Sequence, residues 1–237
     1  ARADVRSACV FVNSCGPGSR TSSRERNRLG VGAVRLDRVR SAFVDELLED
    51  DGSPRPIAGD LIELLHRIGL DEVRERQPVT DLETLTMGIS FTDSSDAANI
   101  DRAWPFDIIP RLIDGDEWSM VELGLAQRLR ALNHFIDDIY NDRRIIADGV
   151  FPADLLDDSA NFRPECRGIH PKFGVWAHIS GSDLVRSGDG QLYVLEDNLR
   201  VPSGVSYVLE NRAIAKRTFP ELFERYRIRP VDAYTDE

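Results

Sequence analysis

At 237 residues, 41% hydrophobic and 8% aromatic, the chain can bury a core, and its composition is that of an ordinary globular protein. No stretch approaches the run of about 18 apolar residues that a membrane span needs, and no signal peptide with a hydrophobic centre opens the sequence, so a soluble cytoplasmic protein is expected. The net charge of −11 argues against nucleic acid as the main partner.

That charge is uneven. Residues 1–39 carry eight arginines (Arg2, Arg6, Arg20, Arg24, Arg26, Arg28, Arg35 and Arg38) against three acids (Asp4, Glu25 and Asp37), a net of +5, which leaves −16 for the rest. This stretch holds Gly16-Pro17-Gly18-Ser19 and no sustained periodicity, so a disordered or non-native N-terminal tail is expected there. An Arg- and Ser-rich start also suits an organelle transit peptide, and the missing initiator Met suits sequence upstream of the true start. Of 30 basic residues only Lys172 and Lys216 are lysines. Cys9, Cys15 and Cys166 have neither an even count nor metal-ligand spacing, which disfavours structural disulfides or zinc.

From Ser41 the pattern changes. Phe43, Val44, Leu47 and Leu48 recur at helical spacing and stop at the turn Asp51-Gly52-Ser53-Pro54. A second helix is predicted through Leu61, Ile62, Leu64, Leu65 and Ile68 to Gly69, a third over 71–77, and a short helix around Leu82, Leu85 and Met87. Ile89-Ser90-Phe91-Thr92 alternates like a strand. Two prolines make Trp104–Ile113 extended. Asp114 or Asp116 then caps the longest helix, whose stripe of Trp118, Val121, Leu125, Leu129, Leu132, Ile136 and Ile139 keeps steps of 3 or 4.

After an irregular stretch over 149–173, Val175–Ile179 is predicted to begin a strand that Asp183–Arg186 continues. Gly188-Asp189-Gly190 turns it, and Leu192–Leu195 returns antiparallel. A helix over Val205–Lys216 follows the loop Arg200–Gly204. Helices early and paired strands late indicate an α+β fold, with a helical N-terminal region before a strand–hairpin–helix portion.

The hairpin carries the chemistry. Asp183 lies on its outgoing strand. Glu196 and Asn198 lie two apart on the return strand, so their side chains leave one face, and counting from the turn places Asp183 near Glu196. Two carboxylates and an amide oxygen suit Mg²⁺ or Mn²⁺, which take one or two carboxylates together with phosphate oxygens and water. Pro202-Ser203-Gly204 leads straight into a helix, whose positive end favours an anion. Arg186 and Arg200, the candidate catalytic residues, are expected to add cationic contacts to that anion. Solvated acids at a hairpin turn are the plain alternative.

Several segments resemble the circularly permuted ATP-grasp type 2 family. They are Gly88–Thr92, Pro105–Arg111, Phe162–Gly168 and Leu195–Tyr207, and the likeness runs from about residue 40 to the end of the chain. The resemblance implies an ATP-dependent carboxylate–amine ligase that forms an acyl phosphate and acts on a peptide-like or amino-acid-like substrate. It implies ATP and Mg²⁺ (or Mn²⁺) as cofactors, with Asp183, Glu196 and Asn198 as metal ligands. Arg200, with the N–H groups near Ser203 and Gly204, would hold phosphate or the acceptor carboxylate.

Two departures accompany it. Asp93–Asn99 stands where the family has a Gly-rich stretch. Family proteins also run on past the point matching Arg229–Asp232, so residues 40–237 are expected to be part of an ATP-grasp domain, with the nucleotide-binding lysines elsewhere and a partner chain as one possible source. The alternative function is a non-catalytic module that binds metal or a partner. A hydrolase using Asp183 and Glu196 as acid and base leaves Asn198 and the Pro202–Gly204 loop without a role. His178 before the hairpin, and Arg163, Glu165 and Arg167, are secondary candidates; His66 and His134 sit in helices without metal-ligand partners.

Overall fold

The computed structural model describes residues 8–12, 44–88, 90–91, 102–103, 106–202, 204–232 and 234. The fold is α+β: a helical layer built from both ends of the described chain, and a mixed three-stranded sheet.

Over the described residues 44–50 the first predicted helix does not form. The Asp45 carboxylate accepts from the N–H groups of Leu47 and Leu48 at 2.9 and 3.0 Å, a local turn that competes with helical bonding. Leu48 then bridges Pro54 across the expected turn, where Gly52 takes φ +84°.

Helix α1 (Gly59–Thr86) replaces three predicted pieces. Gly69, at φ 81° and ψ 159°, breaks it where the sequence indicated. Beyond Gly69 it continues through Pro78 instead of stopping at 77. Buried Thr80 and Thr84 donate to the carbonyls four residues back, at 3.0 and 2.8 Å, and line the turns around that proline. No side chain of Ala58 caps the start of α1. The Tyr226 hydroxyl instead accepts from Leu61 N at 3.0 Å and donates to the Ile57 carbonyl at 2.8 Å. The C-terminal segment thus caps the first long helix, satisfying one of its orphan donors.

The main core forms between α1 and the junction of two later helices, α5 (Val205–Thr218) and α6 (Pro220–Arg225). Leu61, Leu64, Leu65, Val73, Phe219 and Leu222 are buried together, with Ile108 from the extended segment. Each fully buried leucine there contributes about 1.5–3 kcal/mol. Pro220 ends α5, because the residue before proline is disfavoured in helical geometry; Phe219 turns to φ −135° and drops its ring into the core.

Helix α2 (Gly115–Tyr140) matches its prediction, with the Asp114 carboxylate capping it through Asp116 N at 2.8 Å. Leu125, Leu129 and Ile139 of the stripe are fully buried. Short helices α3 (Arg144–Ala147) and α4 (Ala153–Asp157) follow. Strands β2 (Ser90–Phe91) and β3 (Arg102–Ala103) pair antiparallel, and Phe106–Ile113 is non-helical as expected.

The sheet has the order β1–β4–β5, with β1 at Ala8–Val12, β4 at Ser180–Arg186 and β5 at Leu192–Asn198. Strand β1 lies within the segment expected to be a tail. Its run of Ala, Cys, Val, Phe and Val favours extended backbone, and it pairs parallel to β4 with Phe11 opposite Asp183. The rest of 1–39 lies outside the described residues. Strand β4 starts at Ser180, later than predicted. The Asn133 side chain on α2 accepts from Trp176 N and Ala177 N at 2.7 and 2.9 Å, and so removes those donors from any ladder.

Among the described residues no helix is long and apolar enough to cross a membrane.

Candidate metal and phosphate site

Strands β4 and β5 form the predicted hairpin. Ser187 N donates to the Gln191 carbonyl at 2.9 Å, and Gly190 closes the turn at φ +82°, a conformation that favours glycine. The register places Asp183 directly opposite Glu196, and Gly181 opposite Asn198, so the three candidate ligands share one face of the sheet. A bulge between Asp183 and Leu184 shifts the pairing beyond them.

On that face Asn198 Nδ2 donates to Glu196 Oε1 at 3.0 Å, which leaves the amide oxygen as an acceptor. Burial pushes the Asp183 carboxyl above its usual range, and the Glu196 charge opposite pushes it the same way. Two carboxylates held at adjacent positions without a cation between them repel, and a divalent ion relieves that repulsion. The donor set of two carboxylates and an amide is all oxygen and fits Mg²⁺ or Mn²⁺. Among the described residues no group of three or more His, Cys, Asp or Glu comes together, so no imidazole or thiolate centre competes.

The other face of β5 explains how the site is held. Asp197, flanked by Glu196 and Asn198, points the opposite way and is only 7% exposed. It accepts from Ser182 Oγ at 2.7 Å and pairs with Arg128 Nε on α2 at 2.6 Å. Sequence reasoning missed this residue. The signal was strand alternation, because a carboxylate on the buried face needs a cationic or hydrogen-bonding partner.

Arg186 is fully engaged. Its Nε donates to Glu46, and Nη1 and Nη2 grip Glu117 at 2.7 and 3.0 Å. Nη1 also reaches the Gly190 carbonyl at 2.7 Å. This guanidinium anchors the hairpin turn to the start of α2. Arg200 is exposed, and among the described residues it makes no hydrogen bond or ion pair. Gly204 precedes α5, which has no side-chain cap at its N-terminus. Ser203 lies outside the described residues. His178 is exposed just before β4, and His66 and His134 are exposed on α1 and α2. Arg163, Glu165 and Arg167 do not pair with one another: Arg163 Nη1 donates to the Ala160 carbonyl at 3.3 Å, and Arg167 lies over the Phe162 ring.

Residues 110–237, which include every candidate ligand, match the sequence pattern of the circularly permuted ATP-grasp type 2 family. The chain belongs to that family. It is similar to uncharacterized protein sll0335 of Synechocystis sp., 45% identical over 195 residues, which cover 82% of this chain and 40% of that protein. It is similar to uncharacterized protein ML0605 of Mycobacterium leprae, 39% identical over 217 residues, covering 91% of this chain and 38% of the relative. A Frankia casuarinae protein named "Putative glutamate--cysteine ligase 2-2" is 40% identical over 187 residues, covering 79% of this chain and 21% of that protein. This ATP-grasp chain therefore spans about two-fifths of the length of the Synechocystis and mycobacterial relatives.

Proposed function

We propose that this chain contributes the metal-binding hairpin of an ATP-dependent carboxylate–amine ligase acting on an amino-acid-like or peptide-like substrate. The observation that carries the reading is the register of the hairpin: Asp183 faces Glu196 across the ladder with Asn198 on the same face. Membership of the family and the ligase name of the Frankia relative support it.

In this reading Asp183, Glu196 and Asn198 hold Mg²⁺. When bound, the ion neutralises charge on the nucleotide phosphates during phosphoryl transfer. The exposed Arg200 and the N-terminal end of α5 at Gly204, with Ser203 beside it, attract phosphate or the acceptor carboxylate. Arg186 keeps the hairpin turn against α2 and leaves anion contact to Arg200. The substrate carboxylate attacks the γ-phosphate and breaks its bond to ADP. The resulting acyl phosphate is displaced by the amine, releasing inorganic phosphate. The protein's share of this chemistry is positioning and charge neutralisation.

Calorimetric titration of the chain with a non-hydrolysable ATP analogue, with and without Mg²⁺, tests the assignment. Mg²⁺-dependent binding that is lost in Glu196→Ala is expected. Equal binding by wild type and variant, or none by either, would overturn it.

A further inference from the structure

An open cleft of about 440 Å³ lies where the C-terminal end of α2 meets the loop after the 3₁₀ turn Pro164–Cys166. It shares no residue with the hairpin site. Along α2, Tyr140 stands about 18 Å from Arg128, which holds the hairpin, at 1.5 Å per residue.

The cleft is built around two arginines. The Arg167 guanidinium sits over the Phe162 ring, 5.4 Å from its centroid. Phe162 stacks on Tyr140 at 5.0 Å, and Tyr140 stacks on Trp176 at 5.1 Å. Trp176 is itself fixed, because its indole N–H donates to Asp137 at 3.0 Å. The Phe162 ring covers one side of the Arg167 guanidinium and makes no claim on its N–H groups. Among the described residues they meet no acceptor. A planar guanidinium held this way is arranged for a bidentate oxyanion.

Arg143 lines the same cleft from a left-handed backbone conformation, φ 56° and ψ 34°. Its only ion pair among the described residues is with Asp157 at 3.7 Å, and its Nε is buried without a hydrogen-bond partner. The nearby acids are occupied. Asp142, which also lines the cleft, is paired with Arg144 at 2.5 Å, and the Asp138 oxygens accept from Arg144 N and Ile145 N at 3.0 Å each. The loop wall is tied down by Asn141 Nδ2 to the Ile169 carbonyl at 3.3 Å and Gly168 N to the Tyr140 carbonyl at 3.4 Å. With Arg143 paired to Asp157 and Arg144 to Asp142, Arg167 is the arginine of this cluster with no acidic partner among the described residues. His170 completes the lining.

We propose that this cleft binds the carboxylate of an amino-acid or short-peptide ligand between Arg167 and Arg143. The choice of an amino-acid carboxylate rests on the ligase reading; the arginine-lined cleft does not. A ligand here is held through a carboxylate that is not activated, since the metal-binding hairpin lies elsewhere.

Calorimetry of the 237-residue chain with L-glutamate, and separately with inorganic phosphate, tests this without ATP or Mg²⁺. Glutamate binding that weakens roughly tenfold or more in Arg167→Ala and Arg143→Ala, and is only partly kept by Arg167→Lys, supports the site. Glu196→Ala should bind glutamate as wild type does, which separates failure of this proposal from failure of the metal assignment. Circular dichroism checks folding of each variant, and Arg167→Lys decides if Arg167→Ala does not fold. Binding of phosphate alone overturns the amino-acid assignment. No binding of either probe up to about 10 mM, the weak end of small-ligand affinity, overturns the site.

Discussion

At the scale of single residues, Asp183 carries opposed demands of stability and binding. Its carboxyl is pushed up by burial and by Glu196, so the folded chain binds that proton more tightly than the unfolded chain does. The sign follows directly. An acid with a raised folded value destabilises the fold when ionised, and stability recovers as pH falls from neutrality through that raised value. Asp183→Asn removes the charge, so the metal-free variant should unfold at a slightly higher temperature than wild type, by less than about 1 kcal/mol equivalent for so accessible a site. The same variant should lose Mg²⁺-dependent nucleotide binding. Thermal unfolding in EDTA, followed by the same scan with Mg²⁺ and nucleotide, checks both halves. A fall in the metal-free midpoint would show that the carboxylate pair is not under repulsion.

At the scale of elements, the ion-pair network around Glu46 joins four segments. Glu46 precedes α1, Arg111 lies in the extended segment, Glu117 starts α2 and Arg186 ends β4. Arg111 Nη2 donates to Glu46 at 2.5 Å, and Arg186 donates to both acids. Burial pushes the Glu46 carboxyl up, but hydrogen bonds and charge from Arg111 and Arg186 outweigh it and hold the group below its ordinary 4.5. A depressed carboxylate stabilises the fold fully above 4.5 and loses that contribution as pH falls through its lowered folded value. Glu46→Gln should therefore cost about 1–3 kcal/mol at pH 7, with the difference from wild type shrinking in acid. Urea unfolding of both proteins from pH 7 to pH 3 measures it, and a pH-independent difference would contradict the network's role.

The same scale shows what was legible in the sequence. Helix α2 and the β4–β5 hairpin were readable because each is decided locally, by a stripe at 3.6-residue spacing, an Asp cap and a Gly-Asp-Gly turn. The strand expected at Val175–Ile179 failed because Asn133, more than 40 residues earlier, takes its backbone donors. Over the described residues 44–48 the helix expected from Phe43 to Leu48 does not form, because Asp45 bonds the next turn of backbone. That Glu196 and Asn198 share one face was readable from their spacing of two, while the partners of Asp197 and Arg186 depend on α2 and on Glu46, which no local pattern reveals.

For the whole molecule, the sheet and the helices divide the work. The core of α1 and α6 holds the C-terminal end of α5 through Phe219, and Arg128 on α2 pins the reverse face of β5. The candidate ligands therefore sit on a hairpin held from behind, with Asp183 half-buried and Glu196 and Asn198 exposed on their own face. The proposal of a divalent metal between Asp183 and Glu196 rests on family membership and on this register. The most direct test replaces Mg²⁺ by Mn²⁺ and follows the metal by electron paramagnetic resonance during titration with ATP. Wild type should show one Mn²⁺ site that tightens with nucleotide, weakened at least about tenfold in both Asp183→Asn and Glu196→Gln, as expected when a hard cation loses one of two carboxylates. Mn²⁺ binding that is the same in all three proteins, or absent from all three, would contradict the account.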